Sequence, residues 1–203
     1  MTRITVSFLS ALTLASVASA APITFDFKDP KGVNNVVFKT DAPLESINGT
    51  ANGISGTVNF DPETPGATTG KIVVAANTLH VGNPTMKEHL HSDMWMNVAK
   101  FPEITFELAG LKNVKTEANV TTADATGKLT VKGVTKEITT PVKLTYLKDK
   151  LPQRIPGKKG DLLVVRSNFT IKRADFGINA GKNEDKVSNE IELNLSVAGS
   201  APQ

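Results

Sequence analysis

The sequence predicts an all-β domain, folded as an antiparallel sandwich or a closed barrel. Three observations carry that expectation. Apolar and polar residues alternate with period two in several segments. Turn-forming clusters separate those segments. Helical periodicity surfaces in one short stretch only.

In chain order, the N-terminus comes first. Arg3 supplies a thin positive region, Ile4 to Val17 carry no charge, and Ala18-Ser19-Ala20 precedes Ala21-Pro22. This is the layout of a secretory signal peptide over residues 1–20, cleaved after Ala20. The uncharged run is shorter than the ~20 residues that a membrane-spanning helix needs. Residues 21–203 are then expected to form a single exported domain, large enough to bury its own core without disulfides.

The strand candidates that follow are Ile23–Phe27, Val33–Thr40, Ile47–Phe60 with a bend at Gly53, Gly70–Asn77, Phe101–Leu111 and Asn119–Val131. Three more show clear alternation. Lys136–Leu147 puts Ile138, Thr140, Val142, Leu144 and Tyr146 on one face. Pro141 falls on the other face and cannot donate a ladder hydrogen bond, which predicts a bulge or an edge there. Asp161–Arg173 groups Leu163, Val165, Ser167, Phe169 and Ile171. Val187–Val197 sets Ile191, Leu193, Leu195 and Val197 against Glu190, Glu192 and Asn194. Asp61 through Gly66, Lys132-Gly133 and Pro156 through Asp161 read as turns. Gly199 to Gln203 reads as a frayed tail.

The exception is a helical segment near residues 83–98. Asn83 suits an N-cap and Pro84 a first helical position. Met86, Leu90 and Met94 follow at four-residue spacing. This region holds His89 and His91, with His80 just before it, and the sole tryptophan.

Composition excludes several classes. The chain has no cysteine, which rules out thiol catalysis, iron–sulfur clusters and cysteine-based zinc sites. Net charge is +3, and only Arg3 lies in the leader, leaving +2 on residues 21–203. Lys and Arg are dispersed, and one Trp and one Tyr give no base-stacking pattern, so no nucleic-acid partner is expected. No glycine-rich nucleotide-binding motif occurs, and no cofactor is expected. His80, His89 and His91 are close in sequence but poorly spaced for a metal, since residues two apart diverge on a helix. Surface or capping roles suit them better, and no metal is expected. Ser92 lies near His89 and His91 but lacks a nucleophile elbow. The carboxylates are scattered in polar turns, and no catalytic residue is assigned.

Two groups keep two readings each. Arg173, Asp175 and Gly177 form either a structural ion pair and turn closing a strand or a contact to a ligand headgroup. Leu90, Met94, Trp95, Met96 and Phe101 either plug the core or line a cavity, a use for which methionine is well adapted.

Four motifs carry a family resemblance. His89–Phe106 resembles the YceI-like segment written roughly RDxHLxSxDFFDVxKYPxITF. Gly127–Lys136 resembles its G-x-L-T-h-x-G-V-T-K signature, with h apolar. Arg173–Gly177 resembles R-x-D-F-G, and Gly56–Pro62 resembles G-x-h-x-F-D-P. They occur in the family's order and span essentially residues 23–198. The chain departs from the pattern at Met86-Lys87, at Trp95-Met96 and around Gly32 to Asn34.

The resemblance implies an antiparallel lipocalin-like β-barrel of about eight strands with one short helical segment, exported to a bacterial periplasm. It implies an apolar tunnel that binds, transports or sequesters a long lipid: a polyisoprenoid, an isoprenoid quinone or a fatty-acid derivative. It implies no catalysis. The expected ligand-binding set is Leu90, Met94, Trp95, Met96, Phe101, Phe106, Leu144, Tyr146, Phe169, Ile171 and Phe176, with His89, Arg173 and Asp175 toward the headgroup. Transient membrane contact fits this reading, as does a monomer or a homodimer. The alternatives are a lipid-modifying enzyme and a stress-related structural protein whose barrel is filled.

Overall fold

Alternating strands bury one face, and the chain satisfies all of them by wrapping a single sheet on itself. The computed structural model describes residues 21–203; the expected signal peptide lies outside them. Eleven strands form: β1 (Ile23–Asp26), β2 (Asn35–Asp41), β3 (Ser46–Ala51), β4 (Ile54–Phe60), β5 (Thr69–Ala75), β6 (His80–Val81), β7 (Glu103–Glu117), β8 (Val120–Val131), β9 (Val134–Leu147), β10 (Gly160–Lys172) and β11 (Glu190–Pro202). Helix α1 spans Pro84–His91 and α2 spans Leu151–Arg154. The ring runs β1-β4-β5-β7-β8-β9-β10-β11 and closes where Asp26 pairs with Ser200. It is a closed eight-stranded antiparallel barrel.

Three neighbouring staves are each broken in two. β11 pairs with β1 at Ser200 and with β2 from Ser196 to Glu192, so β2 continues the line of β1. β3 continues β4 in the same way, and β6 continues β5. The bend expected at Gly53 separates β3 from β4. Side chains span these breaks. Asn34, 2% exposed, uses its amide as a surrogate peptide. Its Oδ1 accepts from Ala198 N at 2.8 Å, and its Nδ2 donates to Ala198 O and Phe27 O at 3.0 and 3.1 Å. Thr78 Oγ1 accepts from Gly53 N and donates to Ala75 O. A buried backbone group without a partner would cost a hydrogen bond, and these side chains supply the partners.

Pro141 sits at an edge. The β9–β10 ladder runs from Leu147–Leu162 to Val142–Ser167 and stops there, where proline has no N–H to give. Ser167 Oγ donates to Pro141 O at 2.7 Å and lies 2.9 Å from Thr140 Oγ1.

Three expectations change. The C-terminal residues do not fray: Ala201 is 7% exposed and β11 continues to Pro202, paired to Gly160. The same strand starts at Glu190 rather than Val187, because Val187, Ser188 and Asn189 turn their carbonyls toward Arg173. The helix also stops early, at His91. Asn83 caps it as expected, its Oδ1 accepting from Met86 N at 3.0 Å. Ser92 then adopts an extended ψ of 168° and returns its hydroxyl to His89 O at 2.7 Å. Residues 92–101 continue as turns.

One end of the barrel is a packed floor. Phe25, Phe60 and Leu163 are fully or almost fully buried, and Tyr146 packs on both phenylalanines with ring centroids 6.3 and 6.1 Å apart. Tyr146 donates its phenol to Asp161 Oδ2 at 2.7 Å. Burial, then the Asp161 carboxylate, pushes that phenol well above its ordinary range.

Candidate ligand-binding cavity

Above the floor the barrel is hollow. A cavity of about 450 Å³ runs up from Val58, Leu144 and Val165 toward α1. That is within the usual 300–1,000 Å³ of small-molecule sites. The strand pattern explains the walls. Phe169, Ile171, Ile191, Leu193 and Leu195 all point inward, yet each is only half-buried, because they border empty space rather than neighbouring side chains. Their alternates Asn168, Thr170, Glu190, Glu192 and Asn194 face solvent. Glycines let aromatic wall residues lie flat on the sheet. A Cβ on Gly49 would come within 2.0 Å of the Phe38 ring, and one on Gly127 within 2.6 Å of Phe106.

The lining is overwhelmingly apolar, and its solvent-exposed members gather at one end. His89 of α1, Asn183 and Lys186 line it there, as do the half-buried Glu45, Met86 and Val187. That is the mouth. Leu90, Trp95 and Met96 roof the cavity just below it.

The expected ligand-binding residues separate into two groups. The structure places Leu90, Trp95, Met96, Phe106, Leu144, Phe169, Ile171 and His89 on the cavity wall. Six others lie off it. Met94 is 60% exposed because the helix ends before reaching it. Phe101 lies against Gly133, whose φ is +76°, with the Lys100 ammonium 5.3 Å from its ring, so it secures the β8–β9 turn. Tyr146 belongs to the floor, and Phe176, 2% exposed, to the packed core. Asp175 is solvent-exposed, in a 3-10 turn over Arg173–Phe176.

Arg173 is the sharpest difference. It is 0% exposed and makes no ion pair with Asp175. All five of its N–H groups go to backbone carbonyls. Nε donates to Ser188 O at 3.1 Å, and one terminal nitrogen to Ile178 O at 3.0 Å and to Asn179 O. The other donates to Lys182 O at 2.6 Å and Val187 O at 3.1 Å. Burial lowers its pKa, partly offset by Glu184. Trp95 stacks on the guanidinium at 5.6 Å. Arg173 therefore binds the 178–188 loop to the barrel and has no donor left for a ligand. Gly177, at φ +65°, closes the turn as expected.

The histidines diverge. His91 Nε2 donates to Leu79 O at 2.7 Å, His80 is exposed on β6, and His89 edges the mouth. Among the described residues no cluster of His, Asp or Glu is placed to hold a metal.

Several wall residues were absent from the expected set. Ile191, Leu193 and Leu195 were already legible on one face of a strand by alternation. Glu45, Asn183 and Lys186 lie in loops, where no periodicity marks them.

An antiparallel barrel with a packed floor, a hollow apolar interior and a mouth beside a short helix defines a class of small-ligand-binding barrels. Residues 19–198 match the YceI-like domain, and the chain belongs to that family. It is 34% identical over 151 residues to a UPF0312 protein of Pseudomonas paraeruginosa, covering 74% of this chain and 72% of that one. It is 32% identical, with the same coverage, to Protein YceI of Salmonella arizonae. Its fold is similar to that of Burkholderia cenocepacia BcnA, with a TM-score of 0.66 at 20% identity over 81% of this chain and 95% of that one. It is also similar to a polyisoprenoid binding domain from Saccharophagus degradans implicated in plant cell wall breakdown. There the TM-score is 0.63 at 14% identity, over 89% of this chain and 99% of that one.

Proposed function

We propose that this protein binds a single long apolar lipid in its barrel, carrying or sequestering it in the bacterial periplasm. The candidates are a polyisoprenoid, an isoprenoid quinone or a fatty-acid derivative. The hollow, apolar interior supports this reading above all. A filled barrel would serve a structural role, whereas about 450 Å³ of apolar-walled space suits a chain that water rejects. Each methylene moved from water into such a wall contributes about 0.8 kcal/mol. Part of that gain is offset by the cost of immobilising the ligand. The similarity to a polyisoprenoid-binding domain points the same way.

Export belongs to the same reading. The uncharged run Ile4–Val17 and the small residues Ala18 to Ala20 support cleavage after Ala20. Wild-type protein made in a bacterium and purified without detergent should arrive with lipid. Native mass spectrometry should show a mass increment of one lipid, recoverable by solvent extraction. N-terminal sequencing should start at Ala21. A ligand-free protein that takes up no apolar probe would refute the carrier reading, and a start at Met1 would refute export.

A further inference from the structure

We infer that the lipid enters and leaves through the side of the barrel, between β9 and β10, rather than through the mouth; this rests on the lipid-binding reading above. The two strands separate partway along. Their ladder runs from Leu147–Leu162 to Val142–Ser167 and goes no further. Beyond that pair, residues 134–141 of β9 pair with β8 alone, and residues 168–172 of β10 with β11 alone. Pro141 stands at the foot of this seam, where its missing N–H ends the ladder. Ser167 Oγ donates to Pro141 O there and lies 2.9 Å from Thr140 Oγ1. At the head of the seam the Arg173–Phe176 turn lies against β9, and Lys132 Nζ donates to Gly177 O at 3.5 Å. Between these two ends, among the described residues, no side-chain hydrogen bond or salt bridge crosses from β9 to β10.

Apolar side chains close the seam instead. Ile138 of β9 and Phe169 and Ile171 of β10 are half-buried and pack on the core. Val142, Phe169 and Ile171 also line the cavity, so a chain that parts them is already inside it. Parting two laddered strands breaks several backbone hydrogen bonds at once. Parting this seam gives up apolar contacts, which an entering apolar chain replaces. Segments with few such bonds open at the low end of a protein's stability range. The mouth, by contrast, is braced. Below it Leu90, Trp95 and Met96 roof the cavity, and Met96 N donates to Leu90 O at 3.1 Å. Trp95 stacks on Arg173, whose guanidinium holds the 178–188 loop by five backbone carbonyls. Leu44 N donates to Asp185 O at 2.9 Å, which ties the β2–β3 turn to that loop. An apolar chain using the mouth would also pass Glu45, His89, Asn183 and Lys186.

The test joins the two strands and times the lipid. The chain has no cysteine, so a pair can be introduced without side reactions. Continued past Val142–Ser167, the register sets Thr139 opposite Thr170, and both are exposed. Thr139→Cys/Thr170→Cys is loaded with geranylgeraniol and joined by a bismaleimide of matching length, with joining confirmed by intact mass. Release is followed by stopped-flow uptake of the fluorescent apolar probe N-phenyl-1-naphthylamine. Joining should slow release at least about tenfold and leave equilibrium affinity within about twofold, because a blocked gate slows entry and exit alike. Thr170→Cys/Glu192→Cys, joined in the same way across the laddered strands β10 and β11, should release at the wild-type rate. Unchanged release from the joined seam, or a slowing matched by the β10–β11 control, would overturn the lateral route while leaving lipid binding intact. Failure of geranylgeraniol to bind wild-type protein and both unjoined pairs would overturn the lipid-binding reading itself.

Discussion

Arg173→Ala should destabilise the protein severely, although Arg173 itself lines no part of the ligand cavity. In the folded chain five backbone carbonyls, from Ile178, Asn179, Lys182, Val187 and Ser188, depend on one guanidinium. An acceptor left buried without a donor costs roughly 1–3 kcal/mol. The loop can relax and admit water, so the five do not add in full. With about two of the five left unsatisfied after relaxation, the expected loss is about 3–5 kcal/mol. It is a large part of a total stability of about 5–15 kcal/mol. At about 2–4 °C per kcal/mol for a domain of this size, Tm should fall by roughly 6–20 °C. Arg173→Lys keeps the charge but has three donors for five acceptors, so its loss should be about half as large. Urea denaturation followed by far-UV circular dichroism gives the global value. Emission from Trp95, the chain's one tryptophan, reports the loop, because its ring stacks on Arg173. N-phenyl-1-naphthylamine affinity of folded Arg173→Lys should stay within about twofold of wild type. A stability loss below about 1 kcal/mol combined with a tenfold weaker affinity would refute this reasoning and return Arg173 to the headgroup.

Other outcomes follow from the same contacts. Asn34→Ala removes the side chain that bridges β1 to β2 along β11, and should cost about 2–4 kcal/mol in urea denaturation, since it orphans Ala198 N and the buried Phe27 O together. Asp29 has a depressed pKa. Burial alone would raise it, but N–H donors from Asn34, Lys31 and Val33 and the Arg154 charge pull it below the ordinary 3.8. A carboxylate lowered on folding stabilises the native state above its unfolded pKa, and that contribution is lost as pH falls below 3.8. Urea midpoints measured from pH 6 to pH 2 should fall in the acid range, and Asp29→Asn should flatten the fall. Met94→Ser should change neither Tm nor probe affinity, because Met94 faces solvent, whereas Leu90→Ser should weaken probe binding several-fold by placing a hydroxyl in the roof.

The strands and their faces were legible because alternation is a local property. Val165, Ser167, Phe169 and Ile171 could only share a face, whichever sheet they joined. Pro141 announced a break in pairing from its missing N–H alone. The breaks in three adjacent staves were less visible. Gly53 marked one, but the bridge made by Asn34 needs Ala198, far away in sequence, to acquire meaning. The site divided along the same line. Wall residues such as Phe106 and Leu144 followed from strand pattern and resemblance together. Met94 was misplaced because helical spacing was extended past Ser92, whose extended backbone ends the helix. Arg173 was ambiguous because a sequence shows a charge but not its partners. The partners turned out to be backbone carbonyls, which every residue carries and no motif records.

The central claim is that the barrel's apolar cavity receives a lipid. Val142→Phe and Leu193→Trp, combined, put added bulk into that space from two walls. Overpacking a filled core costs typically 1–3 kcal/mol per site, whereas filling a void costs little. Urea denaturation and native mass spectrometry on the same preparation should show stability within about 1 kcal/mol of wild type and no bound lipid. A loss of about 3 kcal/mol or more, with the lipid complement unchanged, would contradict the claim.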